Sequence, residues 1–384
     1  MHTQRRTTLL SLLTAAALLL SSCDNSFGVF SSIQDEVEQT GTDIFKNSSV
    51  KRAFAFGANY YANQNKLFTR TIAGSSWTVA PINGSSDYET CFSATTDSNK
   101  LYASVEDSSG ANAVYSSSDG SAWTRLDSSF PPSGAIVDML FYANGYLFAQ
   151  CHAGYTTADD ATDDSYSLYY SDGSSAFAAV NASLTSVAQP FVGVVWDTGA
   201  SCFWYATRNA LYQGTSAAPP FTVLAVTATG PIADSLTITS IAYSAPASAL
   251  YVGTYTGKLY QYTTSWQSKS VGSGGPITAF ADVGSTGSPH LLVGEGFTED
   301  DNTDGGYYEG SFASFVAGAS GDVAKSESIY DTTVIGTAVN DFYWDDTKHT
   351  LFICVAPGAK TSLYGLYSSV YSTGTSSWSG WDAE

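Results

Sequence analysis

Short apolar segments separated by turn-forming residues recur along the chain from about residue 50 to the C-terminus. The segments are rich in β-branched and aromatic residues, and Gly, Ser, Asp and Asn cluster between them. This pattern predicts short antiparallel strands, because helices would need longer runs with an apolar residue every three or four positions. Turns such as DSNK (97–100), ANG (143–145) and DDTK (345–348) are typical of hairpins.

A longer unit repeats seven times. Each unit has an apolar strand, a short turn, a second apolar strand, a loop, a third strand opening with Leu-Tyr or a similar pair, and a turn ending in an aromatic residue. The repeat predicts an all-β fold, a β-propeller of seven blades with four antiparallel strands each. Six or eight blades remain alternatives. The third strands and their aromatics span residues 67–78, 114–124, 168–177, 211–222, 259–267, 307–315 and 366–378.

The first and second strands of the units are nearly continuous in apolar residues, as expected for strands buried between neighbouring blades. Blade 1 is the exception, because residues 53–57 are assigned to its second strand and no clear first strand precedes them. We expect residues 41–50 or the C-terminus to supply that strand and close the ring. The predicted second strands span residues 53–57, 101–105, 146–151, 202–207, 250–254, 291–296 and 351–356.

Two of the predicted turns carry a shared motif. Residues 114–124 read VYSSSDGSAWT, and residues 168–177, LYYSDGSSAF, form a looser copy. Ser117, Asp119, Gly120 and Trp123 resemble the Asp-box of β-propeller families, in which Asp bonds to the local backbone and Gly takes a positive φ. The resemblance implies a propeller. It implies nothing about activity, because in that family the turn is structural and lies away from the active site.

The N-terminus has the pattern of an export signal. Arg5 and Arg6 precede an apolar run over residues 9–20, which is too short to span the ~30 Å hydrocarbon core of a bilayer. The segment LLLSSCDN (18–25) resembles a bacterial lipobox. The resemblance implies a signal peptide over residues 1–22, cleavage before Cys23, and acyl chains such as palmitate anchoring Cys23 to a membrane. An ordinary secretory signal with a chance cysteine is the alternative.

The implied mature chain begins with a tether over residues 23–49, followed by the propeller domain over residues 50–384. The resemblance places the protein in the cell envelope, while the choice of membrane and of side stays open. The whole chain has 15 basic and 35 acidic residues, a net charge of −20, which excludes nucleic acid as a partner. Cys91, Cys151, Cys202 and Cys354 lie in apolar strands, so we expect buried thiols, and any disulfide pairing stays open.

The candidate ligand-binding residues lie on one face of the predicted ring. The loops between second and third strands in blades 3 and 6, residues 154–167 and 296–308, are long and acidic and should emerge on the same face. Aromatic residues beside the carboxylates suit a sugar or a protein partner. Arg208 follows a second strand and is expected to reach the same face. The candidate ligand-face residues are Tyr155, Asp159, Asp160, Asp163, Asp164, Phe297, Tyr307 and His152.

The blade 6 loop also contains alternating oxygen-bearing residues. Asp300, Asn302 and Asp304 are followed by Gly305, which is typical of the opening of a calcium loop. The twelfth position of an EF-hand would need Glu, and Ser311 stands there. The pattern therefore leaves two interpretations, a calcium site and a solvated acidic loop.

These features favour a membrane-anchored envelope lipoprotein whose propeller is a non-catalytic binding or scaffolding module, with an envelope protein or a glycan as partner. No cofactor is required, and calcium is the one candidate ion. The fold resembles the propeller lipoprotein of outer-membrane protein assembly, whose repeat signature is absent here. The alternatives are a sugar-binding or glycoside-hydrolysing propeller and a calcium-dependent adhesin. A sialidase is excluded, because the mature chain has too few suitably placed arginines for its carboxylate-binding triad.

Overall fold

The computed structural model shows seven antiparallel sheets arranged as the blades of a propeller, which confirms the predicted all-β, seven-bladed fold. In each blade the first three strands follow one another in chain order, and the first strands of neighbouring blades lie side by side around the centre. The structure describes residues 44–82, 84, 88, 90–154, 164–227, 229–272, 274–283, 290–296, 305–315, 337–357, 364–372 and 377–384.

Blades 1 to 4 have four strands each. Blade 1 contains β1 (Arg52–Phe56), β2 (Asn59–Asn63), β3 (Leu67–Thr71) and β4 (Thr78–Val79). Blade 2 contains β5 (Thr90–Thr96), β6 (Leu101–Glu106), β7 (Asn112–Ser117) and β8 (Trp123–Arg125). Blade 3 contains β9 (Ala135–Ala143), β10 (Tyr146–Ala153), β11 (Ser165–Ser171) and β12 (Ala178–Ala179). Blade 4 contains β13 (Phe191–Asp197), β14 (Cys202–Thr207), β15 (Leu211–Gly214) and β16 (Val223–Ala225).

Blade 5 also has four strands, whereas the described residues give three strands in blade 6 and five in blade 7. Blade 5 contains β17 (Ile238–Ser244), β18 (Ala249–Thr254), β19 (Lys258–Tyr262) and β20 (Trp266–Ser270). Blade 6 contains β21 (Ile277–Val283), β22 (His290–Glu295) and β23 (Gly306–Ser311). Blade 7 contains β24 (Ala338–Asp345), β25 (Thr350–Ala356), β26 (Gly365–Ser372), β27 (Ser377–Trp378) and β28 (Asp382–Ala383).

Helix is confined to three short segments of the described chain. They are the 3-10 turns Ala182–Leu184 and Phe312–Phe315 and the single α-helical turn α1 (Gly230–Ala233). No helix within the described ranges has the length and apolar character needed to cross a membrane.

The predicted order of strands in blade 1 was wrong by one strand. The segment placed in its second strand is the first strand, β1, and it pairs with β2 from Arg52↔Asn63 to Phe56↔Asn59. Gly57 adopts a φ of 60°, which permits a two-residue turn directly after β1. Residues 59–63, NYYAN, supply the second strand, so blade 1 has its own inner strand.

Both ends of the described chain close the ring between blades 1 and 7. Ile44, Phe45 and Val50 are buried against Phe352 and Leu366 of blade 7, and the compact unit spans Thr42–Glu384. The unit therefore begins within the segment expected to be a tether. At the other end, β28 pairs with β26, and the Glu384 side chain forms a 2.9 Å ion pair with Arg70 of blade 1.

The core lies between successive blades rather than within one of them. Every residue of β14 and of β18 is buried, and Phe148 of blade 3 packs on Phe203 and Tyr205 of blade 4. Burying both faces of a sheet explains why the second strands read as continuous apolar runs. The four cysteines, Cys91, Cys151, Cys202 and Cys354, are buried free thiols, as expected.

Candidate functional site

The inner strands of six blades carry a β-bulge at the same position. In blade 3, Val137 pairs with Cys151 and Met139 pairs with Gln150, so Asp138 is the extra residue between them. A bulge re-aims the side chain of the extra residue, and bulges are common beside functional sites. The six extra residues, from blade 2 to blade 7, are Phe92, Asp138, Val192, Thr239, Thr278 and Asn340.

These six side chains line a cavity at the centre of the ring, with a volume of about 630 Å³. All seven inner strands contribute to its wall. The cavity lies where the first strands begin and the second strands end, so it opens on the face that the long blade 3 and blade 6 loops leave. It is large enough for a small organic ligand, since ligand pockets commonly measure about 300–1,000 Å³.

Blade 3 contributes a histidine held between two carboxylates. The Nδ1 atom of His152 lies 3.5 Å from Asp138 Oδ2, and its Nε2 atom lies 3.0 Å from Asp164 Oδ1. The ring of Tyr166 stacks on the imidazole at a centroid distance of 4.5 Å. His152 is buried, so both carboxylates fix its orientation at the cavity wall.

Gln150 ties Asp138 to the neighbouring blade. Its Nε2 atom donates to Asp138 Oδ1 at 2.7 Å, and its Oε1 atom accepts from the backbone N–H of Phe191 in blade 4 at 2.5 Å. Gln150 is 2% exposed. Burial raises the pKa of Asp138, while the hydrogen bond from Gln150 and the nearby His152 oppose that rise.

Blade 1 contributes two cations. Lys51 Nζ donates to the carbonyl of the bulged Phe92 at 3.0 Å, and Arg52 Nε lies 3.4 Å from Asp341 Oδ2 of blade 7. Burial raises the pKa of Asp341 to about 6, although Arg52 opposes this rise. Burial also lowers the pKa of Lys51. The site therefore keeps charges of both signs in partly desolvated positions, which is common at binding and catalytic sites.

Blades 5 to 7 contribute neutral polar groups. The Thr239 hydroxyl donates to the carbonyl of Ile277 at 2.6 Å, and the Thr278 hydroxyl donates to the carbonyl of Val339. Asn340 Nδ2 donates to the carbonyl of Val50 at 2.7 Å. Each bond joins one inner strand to the chain of the next blade, which holds the three bulged side chains in place.

Three of the predicted ligand-face residues lie within the described parts of the chain. His152 lines the cavity and contacts Asp164. Tyr307 does not reach the face: its ring is 5% exposed and packs edge-on against Phe342 and Trp381 in the core between blades 6 and 7. Its expected role in gripping a ligand at the surface was wrong, because the first residues of β23 are sealed by blade 7.

The other predicted site residues lie outside the described residues. Among the described residues, no three His, Cys, Asp or Glu side chains are grouped closely enough to hold a metal ion. The undescribed candidates are Cys23, Tyr155, Asp159, Asp160, Asp163 and Phe297 and the calcium candidates Asp300, Asn302 and Asp304.

Several residues of the cavity were not anticipated from the sequence. Asp138 and Asp341 each interrupt an apolar first strand, IVDMLFY (136–142) and VNDFYWD (339–345). A lone carboxylate inside such a strand was the available signal. The bulge that turns Asp138 toward the centre is visible only in the strand register.

Comparisons with known proteins support the fold alone. No protein-family model matches the chain, and no curated relative matches it. Similar solved structures include the extracellular domain of a proposed one component system from B. thetaiotaomicron, with a TM-score of 0.54 and 15% identity over 83% of this chain and 38% of that chain. A GH74 enzyme from Niastella koreensis has a TM-score of 0.55 and 13% identity over 86% of this chain and 53% of its own.

A third similar structure is PorZ, a bacterial surface component of the type-IX secretion system of Porphyromonas gingivalis. It has a TM-score of 0.51 and 12% identity over 88% of this chain and 38% of its own. The chain thus spans between about two fifths and about half of the length of these three proteins. At these identities the likeness shows a propeller module and carries no residue roles.

Proposed function

We propose that this protein is a lipid-anchored cell-envelope protein whose propeller is a non-catalytic binding module, with its partner seated on the face around the central cavity. The observation that carries the proposal is the cavity itself, which all seven inner strands line and which holds ionisable side chains of both signs. Asp138 is engaged by Gln150 and His152, and Asp341 by Arg52. Groups held in this way are suited to recognising a partner.

The envelope location rests on Cys23 and the lipobox-like segment before it. Two of the similar structures are an extracellular domain and a secretion-system surface component, which is compatible with this location. Replacing Cys23 with Ala should move the protein from the membrane fraction to the soluble fraction of lysed cells. Unchanged partition of Cys23→Ala would contradict the lipid anchor.

The binding role is tested by obstructing the cavity. Met139 lines the cavity and is 36% exposed, so Met139→Trp adds bulk there with little loss of packing. Leu224→Trp adds the same ring at an exposed position of β16, outside the cavity lining. Gently crosslinked, detergent-solubilised cells expressing each variant are then affinity-purified, and co-purifying envelope proteins and glycans are identified by mass spectrometry. A partner lost only with Met139→Trp supports the proposal, and equal capture by both variants contradicts it.

A second candidate function is glycoside hydrolysis in the same cavity. Asp138 and Asp341 both line it, and the raised pKa of Asp341, about 6, suits a general acid. Asp341→Asn should then abolish release of reducing ends from an oligosaccharide that the wild type cleaves, while binding persists. No cleavage by the wild type across a panel of envelope and plant oligosaccharides would remove this candidate.

A further inference from the structure

Two cations of the cavity, Arg208 and Lys51, form no ion pair with a carboxylate of the described residues. Within the described residues, the Arg208 guanidinium makes no hydrogen bond or ion pair, and Lys51 bonds only to the carbonyl of Phe92. The carboxylates of the site are occupied, Asp138 and Asp164 by His152 and Asp341 by Arg52. Among the described residues of the cavity, Arg208 and Lys51 are therefore the cations that are not held in an ion pair.

Arg208 is the better placed of these cations for a ligand. It is exposed, it follows β14 at the cavity mouth, and it lies near Tyr166, where it opposes the rise that burial causes in the tyrosine pKa. A planar guanidinium with all its donors available matches a carboxylate through two parallel hydrogen bonds.

The inner strands of blades 5 to 7, which follow blade 4 around the ring, present acceptors. A hydroxyl has one hydrogen, and those of Thr239 and Thr278 are donated to backbone carbonyls. Asn340 uses its Nδ2 donors on Val50 and Ser49, which leaves its Oδ1 atom available. Toward a ligand these three side chains can only accept hydrogen bonds, so they favour a molecule with several O–H donors.

A ligand that satisfies both sets of groups carries a carboxylate and several hydroxyl groups. Resting on the binding role proposed above, we propose that the central cavity binds a sugar acid, with its carboxylate on Arg208 and its hydroxyls donating to Thr239, Thr278 and Asn340. With one exposed guanidinium free of ion pairs at Arg208 and a net charge of −20 for the chain, a sugar with a single carboxylate fits better than a polyanion.

The test compares sugars that differ only at the carboxylate. Glucuronate, galacturonate, mannuronate and gluconate are titrated by calorimetry into the full-length protein in detergent, and glucose, galactose, mannose and glucitol serve as the neutral counterparts. At least one acid should bind about tenfold or more tightly than its neutral counterpart, because a charge-assisted bidentate bond is at stake. Equal binding of acid and neutral sugar, or no binding by any acid, overturns the proposal.

Substitutions test whether Arg208 is the residue that binds the carboxylate. Arg208→Gln should weaken binding of the acid about tenfold or more and leave binding of the neutral sugar unchanged. Lys348→Gln removes one positive charge from an exposed turn on the opposite face and should change neither. Arg208→Gln without effect overturns the sugar acid while leaving the binding module intact, provided that Met139→Trp still loses a captured partner. If Met139→Trp also retains every partner, the proposed function fails with it.

Discussion

The two sides of the cavity have the same backbone design and opposite chemistry. The charged arc runs from Asp341 of blade 7 through blades 1 to 4, where it comprises Lys51, Arg52, Asp138, His152 and Arg208. The acceptor arc, from blades 5 to 7, comprises Thr239, Thr278 and Asn340. Asp138 on one arc and Thr278 on the other both occupy the bulge of their inner strand. The repeated fold thus supplies positions, and the residue at each position decides what the wall can recognise.

The two arcs also differ in the interactions that their side chains make and in how much these stabilise the fold. The acceptor arc uses short side-chain bonds to the neighbouring backbone, which stabilise without burying a charge. The charged arc desolvates its groups: burial raises the pKa of Asp138 and Asp341 and lowers the pKa of Lys51. A desolvated charge is weak support for stability. The comparison therefore indicates that the hydrogen bonds of the acceptor arc stabilise the fold and that the desolvated charges of the other arc contribute less to stability.

The largest effect is expected at Gln150, on which the charged arc depends. Gln150→Leu leaves the buried Phe191 N–H without its acceptor and Asp138 without its strongest donor. We expect a loss of about 2–4 kcal/mol in the free energy of unfolding, measured in urea. Gln267→Leu, at an exposed position of β20, should cost less than about 0.5 kcal/mol. Equal losses in the two variants would show that Gln150 is not a structural link.

The next largest effect is a dependence of stability on pH, which we expect from Asp341. The raised pKa of Asp341 means that the folded state binds its proton more tightly than the unfolded state does. Its stabilising contribution is complete below pH 3.8 and is lost as the pH rises through about 6. Relative to Asp341→Asn, the wild type should therefore lose about 1–3 kcal/mol between pH 4 and pH 7, an upper range because the side chain is 26% exposed. Thermal or urea unfolding of both proteins at the two pH values measures this, and a pH-independent difference would contradict it.

A smaller effect tests the acceptor arc. Thr278→Val removes the hydroxyl that donates to Val339, and we expect a cost of about 1 kcal/mol. Thr239→Val should cost less, about 0.5 kcal/mol, because Ser240 also donates to the carbonyl of Ile277. Urea unfolding of the two variants decides the order. The reverse order would show that the two hydroxyls are not bound as described.

The smallest effect concerns the calcium candidates, which lie outside the residues that the structure describes. If Asp300, Asn302 and Asp304 bind calcium with a Kd on the order of 1 mM, then 1 mM calcium should stabilise the protein by about 0.4 kcal/mol. The measurement is a thermal melt in calcium against a melt in chelator, with Asp300→Asn/Asp304→Asn as the matched control. Coincident melts of the wild type, with no calcium bound by calorimetry, would remove the site.

Features encoded by a few neighbouring residues could be predicted from the sequence, and features set by the packing of another blade could not. Hairpins such as the one at Asn144-Gly145 are encoded within a few residues, and both adopt the positive φ expected there. His152 and Arg208 follow second strands, which placed them on the cavity side of their blades. The error in blade 1 arose where two short apolar runs, residues 53–57 and 59–63, are separated by a single glycine turn. Tyr307 was misplaced because the packing of a neighbouring blade decides its exposure.

By itself, the sequence determined the all-β class and the seven-fold repeat, since strand length, turn chemistry and repetition are local properties. The tertiary structure alone decided which charges meet. Arg52 reaches Asp341 only because the ring closes between blades 1 and 7, and Gln150 reaches Phe191 only because blades 3 and 4 pack together. The inner-strand bulges turn Asp138 and Thr278 to the centre through strand register, a relation between distant residues that no local pattern encodes.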